Sequence, residues 1–308
     1  MLSSLLLFGF YLLPALVYFC FMEWKLARRT LAIGVRTLVM GVLNLTPDSF
    51  SDGGRFADED AALRRAEEMI EEGADMIDVG GESTRPGGAA VTAEEELSRV
   101  VPVIEKLAKR FNLPISVDTT KSTVARAALE AGAEIVNDIS ALRFDFHIAD
   151  EVAKAGAGLV LMHSRGTPAT LHRLPPAPDI FSELRVSLRR SLNMAERRGV
   201  PRAAIALDPG IGFGKTFEQN LALIARLAEF AEGFAGFPIL VGTSRKSFIG
   251  RILDDAPVEA RLHGTMATVA AAVLNGAHIV RVHDVRAAVE TVRVIDAVKQ
   301  GGRMKDEG

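Results

Sequence analysis

Cys20 is the only cysteine in 308 residues, which excludes an intrachain disulfide framework and any cysteine-based metal site. Long basic runs are also missing. With a formal net charge of −3 and a pI near 6.1, the chain offers no footprint for nucleic acid. An anionic ligand must therefore be small and met by a few local Lys and Arg. The first part of the chain lacks charge altogether. Leu5–Met22 carries no charged residue and has Pro14 inside it. Its length sits at the lower edge of the roughly 17–25 residues that a membrane span needs. No basic leader precedes it and no Ala-x-Ala site follows, which excludes an ordinary secretory signal. Lys25, Arg28 and Arg29 come next. With the stretch inserted, they would hold the rest of the chain on the cytoplasmic side. The competing reading starts the working chain at Met22. Both give a cytoplasmic location, tethered to the membrane face in the first case only. The expected organisation is an apolar extension over 1–22, one domain over 23–300 and a polar tail over 301–308.

What is present is an alternation of strand and helix. The chain is 48% hydrophobic and 24% charged, which suits one large domain or two small ones. Short apolar runs read as strands at Leu38–Leu45, Met76–Gly80, Ile115–Asp118, Ile135–Ile139, Gly158–His163, Ile205–Asp208, Ile239–Gly242 and Ile279–His283. Such continuous runs suit a parallel sheet buried on both faces. Helical patterns lie between them. Leu63, Ala66 and Ile70 share one face of the first, with Asp58 as its expected cap. Phe181, Leu184, Leu188 and Leu192 form a stripe on the fifth. Gly73, Gly132, Gly156, Gly199 and Gly276 each stand just before a strand, where a helix needs a left-handed closing residue. Eight strands, each followed by a helix, predict a (β/α)8 TIM barrel. An open, doubly wound sheet is the alternative, because spacing alone cannot show closure.

The strand bodies are apolar and their C-terminal ends are polar. Those ends supply Asn44, Asp78, Asp118, Asn137 with Asp138, Met162 with His163, Asp208, Ser244-Arg-Lys246 and Arg281 with His283. In a barrel they open on one mouth, where chemistry resides. Glycine-flanked loops follow the first two strands. Asp118, Asn137 and Asp208 together suit a ligand with several N–H donors, such as a fused aminopyrimidinone ring. Arg85, Lys246, Arg281 and His283 suit a phosphate or diphosphate. Asn44 beside a diphosphate could complete a Mg2+ site, since Mg2+ takes few protein ligands. Gly210–Lys215 lacks the spacing of a P-loop and reads instead as a close-approach loop presenting Phe213. His163 reads as a structural residue or a general base.

Eight motifs carry a resemblance. They are Gly41–Gly54, Asp78–Gly87, Ser116–Thr119, Asn137–Ile139, Leu161–His163, Leu207–Lys215, Ser244–Ser247 and Arg281–Asp284. Over roughly Met22–Gln300 the chain resembles the dihydropteroate synthases of the pterin-binding family. The resemblance implies a (β/α)8 barrel that joins 6-hydroxymethyl-7,8-dihydropterin diphosphate to 4-aminobenzoate and releases diphosphate. The family serves folate synthesis and is the sulfonamide target. By the same resemblance, Asp118, Asn137, Met162, Asp208 and Lys246 would hold the pterin. Asn44, Thr84, Arg85, Arg281 and His283 would hold the diphosphate, Asn44 through Mg2+. Phe50, Thr84, Pro86, Phe213, Lys246 and Ser247 would frame the aminobenzoate. Asp52, Arg85, Asp208 and Lys246 would carry catalysis by an SN1-like path that needs no strong base. A homodimer through late helices is implied, with His263–Leu274 as a candidate face. Two features depart from the family pattern: the apolar extension, and Ala141–Phe146, where a glycine-richer loop is expected. A pterin-binding methyltransferase module and a non-catalytic pterin-binding protein are the alternatives. The methyltransferase module would not need the Ser83–Pro86 and Ser244–Ser247 motifs.

Overall fold

The computed structural model describes residues 22–45, 54–82, 91–167, 170 and 174–303. Eight of its strands form one parallel sheet: β3 (Leu38–Asn44), β4 (Met76–Gly80), β5 (Ile115–Asp118), β6 (Ile135–Asp138), β7 (Gly158–Met162), β8 (Ile205–Asp208), β9 (Leu240–Val241) and β10 (Ile279–Val282). Neighbours pair in chain order, and β10 pairs with both β3 and β9. A parallel bridge between Leu207 and Ile239 joins β8 to β9, with Leu207 N–H donating to the Pro238 carbonyl at 2.9 Å. The sheet therefore closes into the expected barrel. The eight predicted strands all form, and β9 is cut to two residues at the closing seam.

Helices cover the outside. Val39, Ile77, Val117, Val136, Leu161 and Leu207 point outward into the layer that α2 (Ala93–Arg110), α5 (Ile180–Arg197) and their neighbours bury. The predicted stripe of α5 is buried in full. The five expected closing glycines all take positive φ, between 65° and 115°. α1 (Gly54–Glu71) starts ahead of the expected cap, so Asp58 lies within the helix rather than before it. The C-terminal helix, Val285–Arg303, runs past Gln300.

Beneath the mouth the barrel is apolar. Met40, Met76, Ile135, Val160, Ala206, Leu240 and Ile279 fill its lower interior. A hairpin that the sequence pattern did not announce closes the base. β1 (Met22–Lys25) and β2 (Thr30–Ile33) pair antiparallel and insert Trp24, Leu26 and Ile33 into that cluster. Trp24 is fully buried, and its Nε1–H donates to the Ala204 carbonyl at 2.9 Å. Arg28 and Arg29 tie the hairpin's turn to the buried carboxylate of Glu134. Because the plug supplies both burial and an indole hydrogen bond, Trp24→Ala is expected to cost about 3–5 kcal/mol. Denaturant unfolding would measure it. A loss below about 1 kcal/mol would mean that the hairpin merely rests against the barrel.

Candidate active site

Strand polarity places the site. Side chains alternate between the interior and the helix layer, and the interior residues change from apolar to polar near the strands' C-terminal ends. Asp78 on β4, Asp118 on β5, Asn137 on β6, Met162 on β7, Asp208 on β8 and Arg281 on β10 occupy that upper layer. Registers place Asp118 beside Asn137 and Met162 beside Asp208.

Arg281 organises the group. Its Nε donates to Asp78 Oδ2 at 2.6 Å and its Nη2 to Asp118 Oδ2 at 2.7 Å. Asn137 Nδ2 donates to the same Asp78 oxygen at 3.1 Å. Asp78 is fully buried, and its Oδ1 has no hydrogen-bond partner. Burial lowers the Arg281 pKa, but the carboxylates of Asp78 and Asp118 more than reverse this and hold the guanidinium charged. Burial pushes Asp118 up to about 7, and Arg281 opposes that shift. Asp208 is also raised by burial, against the pull of Lys246. Burial lowers Lys246 to about 8 and Lys215 to about 7, while Asp208 raises both.

A glycine-rich loop leaves β8 beside this layer. The Gly210 N–H donates to Asp208 Oδ1 at 2.6 Å and so fixes the carboxylate. Gly212 lies so close to Lys246 that a Cβ there would stand 2.8 Å from Lys246 Cδ. Lys246 Nζ donates to the Ile211 carbonyl and lies 4.4 Å from the centre of the Phe213 ring, within cation–π range. The expected close-approach loop presenting Phe213 is therefore what forms. Ser247 starts the short helix Ser247–Ile252 and is exposed. His283 Nδ1 lies 3.0 Å from Ser244 Oγ on the neighbouring strand end.

Asn44 ends β3, half-buried. Its Oδ1 lies 3.7 Å from where a Cβ of Gly80 would stand, and Asp118 Cβ lies 3.6 Å from the same point, both ordinary contact distances. No group of three His, Cys, Asp or Glu that could hold a metal exists among the described residues. Phe50, Asp52, Thr84, Arg85 and Pro86 lie outside the described residues. The flanks of the 83–90 segment are described. Lys121 Nζ contacts Glu82 and the buried Glu96 at 2.6 Å each.

Three polar strand-end residues do not face the mouth. Asp138 alternates outward and anchors its own loop. It accepts from Ser140 N at 2.8 Å, Ser140 Oγ at 2.7 Å and Leu142 N at 2.5 Å. That loop forces Ala141 and Leu142 to φ values of 50° and 65°, at roughly 1–2 kcal/mol per residue. This is the physical reason for expecting glycine at Ala141–Phe146. Arg245 pairs with Asp284 and is structural. His163 is 2% exposed, and burial drives its pKa down to about 2, assisted by the charges of Lys215, Arg143 and Arg165. It is neutral and shut off from solvent. Sequence reasoning placed Asp78 at the mouth but gave it no role, although a carboxylate inside an apolar strand is the same signal that marked Asp118.

Residues 40–283 match the family model described as pterin binding enzyme. A dihydropteroate synthase of Synechocystis sp. is 48% identical over 265 residues, which is 86% of this chain and 91% of the relative. A Clostridium difficile dihydropteroate synthase, solved in the presence of pteroic acid, superposes with a TM-score of 0.81 at 45% identity, covering 86% of this chain and 98% of that one. The Xanthomonas albilineans enzyme, solved with 4-aminobenzoic acid, gives 0.83 at 42% identity, covering 90% and 99%. With an interior polar layer at the mouth of a closed barrel and relatives matched over nearly their whole length, the chain belongs to the pterin-binding enzyme family, among the dihydropteroate synthases.

Proposed function

We propose that the barrel mouth joins 6-hydroxymethyl-7,8-dihydropterin diphosphate to 4-aminobenzoate, releasing diphosphate and 7,8-dihydropteroate. The observation that carries this is the cluster of Asp118, Asn137, Asp208, Lys246 and Arg281 on adjacent strand ends. Asp118, Asn137 and Asp208 take the N–H edge of the pterin, with Met162 against its face. Arg281 and His283 meet the diphosphate, together with Thr84 and Arg85. Asn44 would hold a Mg2+ ion along with diphosphate oxygens, since Mg2+ keeps few protein ligands. When bound, that ion neutralises charge on the leaving diphosphate.

Arg281 supports departure of the diphosphate because its charge is already fixed in place. The cation left on the pterin carbon is stabilised by Asp208 and Asp118 and, by the resemblance, by Asp52. The weakly basic amine of 4-aminobenzoate then attacks, framed by Phe50, Pro86, Phe213, Lys246 and Ser247, and the proton it loses passes to the released diphosphate or to water. Neutral His163 takes no proton in this SN1-like path. The exposed apolar side chains of Leu274, Val294 and Val298 on the last two helices support a homodimer through that face. No helix among the described residues is long and apolar enough to cross a membrane. We place the enzyme in the cytoplasm, with residues 23–300 as one catalytic domain.

Purified protein given both substrates and Mg2+ is expected to form dihydropteroate and diphosphate in equal amounts. Binding of the pterin without turnover would favour the non-catalytic alternative. Asp118 supplies a pH test. Its raised pKa leaves it largely protonated below about 7, and the ionised carboxylate accepts from N–H donors with both oxygens and more strongly than the neutral acid. Pterin diphosphate affinity should therefore rise with pH through about 7, and Asp118→Asn should flatten that profile. Calorimetric titration from pH 6 to 8 measures it. The same slope in the variant would remove Asp118 from the pterin pocket.

A further inference from the structure

The mechanism leaves one lysine unused. Lys215 closes the Gly210–Lys215 loop, yet its side chain turns back into that loop instead of toward the mouth. Its Nζ donates to the Gly210 carbonyl at 2.7 Å, the Phe213 carbonyl at 3.2 Å and the His163 carbonyl at 3.2 Å. Two of these oxygens belong to the loop itself, and the third to the exit of β7. Asp208, Glu183, Lys246 and Arg165 are the charged groups around it. Even when deprotonated, the amine keeps two N–H donors for the three oxygens.

The loop backbone accepts this arrangement only through left-handed glycines. Gly210 has φ 67°, and a Cβ there would stand 1.9 Å from the His163 carbonyl oxygen. Gly212 has φ 86° against Lys246. The carbonyls thus divide between two lysines: those of Gly210 and Phe213 face Lys215, and that of Ile211 faces Lys246. Phe213 is consequently held twice. Lys215 grips its backbone oxygen, and Lys246 lies over its ring. A run of glycines carries no conformational preference of its own, so an internal tie is needed to keep the ring in one place.

We propose that Lys215 is a positioning residue for the aminobenzoate site, acting through Phe213 by chelating the carbonyls of the loop that carries it. The proposal rests on the reading of Phe213 as a wall of that site. It assigns Lys215 no contact with either substrate.

A double-mutant cycle tests it. Lys215→Met should raise the KM for 4-aminobenzoate at least tenfold. The kcat at saturation, and the pterin diphosphate Kd by calorimetry, should stay within about threefold. In a Phe213→Ala background the same change should add less than twofold. An unchanged KM in folded Lys215→Met would overturn the proposal, and so would equal effects in both backgrounds. If Lys215→Met does not fold, Lys215→Arg keeps the charge but cannot seat all three oxygens. Its smaller KM rise should likewise vanish without Phe213, and its persistence would overturn the proposal. Wild-type turnover is measured first, so a failure of the functional reading appears before any variant. The positional claim then stands on a crystal structure of Lys215→Arg. A Phe213 ring displaced from Lys246 supports it, and an unmoved ring overturns it.

Discussion

The guanidinium of Arg281, held between Asp78 and Asp118, is the interaction on which the mouth depends. Three side chains from β4, β5 and β10 meet there, and Asn137 of β6 joins through the same Asp78 oxygen. Buried carboxylates without a partner would be strongly unfavourable, and breaking such a pair commonly costs about 3–5 kcal/mol. Their presence is therefore bound to Arg281, and its presence to them. The layer is assembled before any substrate arrives. On the proposed reading, a pterin entering it would meet acceptors already aimed, and a diphosphate would meet a cation already fixed.

Below that polar layer the interior is mostly apolar, with the buried Ser116 as the exception. The lower interior is filled by aliphatic and methionine side chains, and the Trp24 hairpin seals the base. Stability and chemistry thus occupy opposite ends of the same eight strands, as is usual for barrels of this kind. The glycine-rich loop after β8 extends the division. Lys215 donates to its backbone carbonyls from within, and Lys246 lies over the ring of Phe213.

The strands were legible because a sheet buried on both faces writes each strand as an unbroken apolar run. The site was legible because polar residues interrupt those runs only at one end. Of the adjacent Asn137 and Asp138 the motif reading chose Asn137, and Asn137 is the one that faces inward, although spacing alone does not fix the face, since a one-residue shift of register exchanges the two. Asp78 and Asp118 carry the same local signal, and only the three-dimensional pairing reveals that Asp78 anchors while Asp118 lies nearer the opening. The β1–β2 hairpin escaped notice because its two four-residue strands carry too little periodicity to stand out. Lys215 escaped because nothing in a linear motif shows a side chain folding back on its own loop. The motifs naming Phe50, Asp52, Thr84, Arg85 and Pro86 lie outside the described residues, and their roles rest on the resemblance.

The central claim is that Asp78, which is assigned no substrate contact, governs binding by holding Arg281 and Asn137. Asp78→Asn preserves shape and removes the charge. The most direct measurement is the calorimetric Kd of the pterin diphosphate for this variant against the wild type, with folding checked by thermal unfolding. The account predicts a folded protein whose affinity falls at least tenfold, which is about 1.4 kcal/mol or more. A folded variant that binds as tightly as the wild type would contradict it.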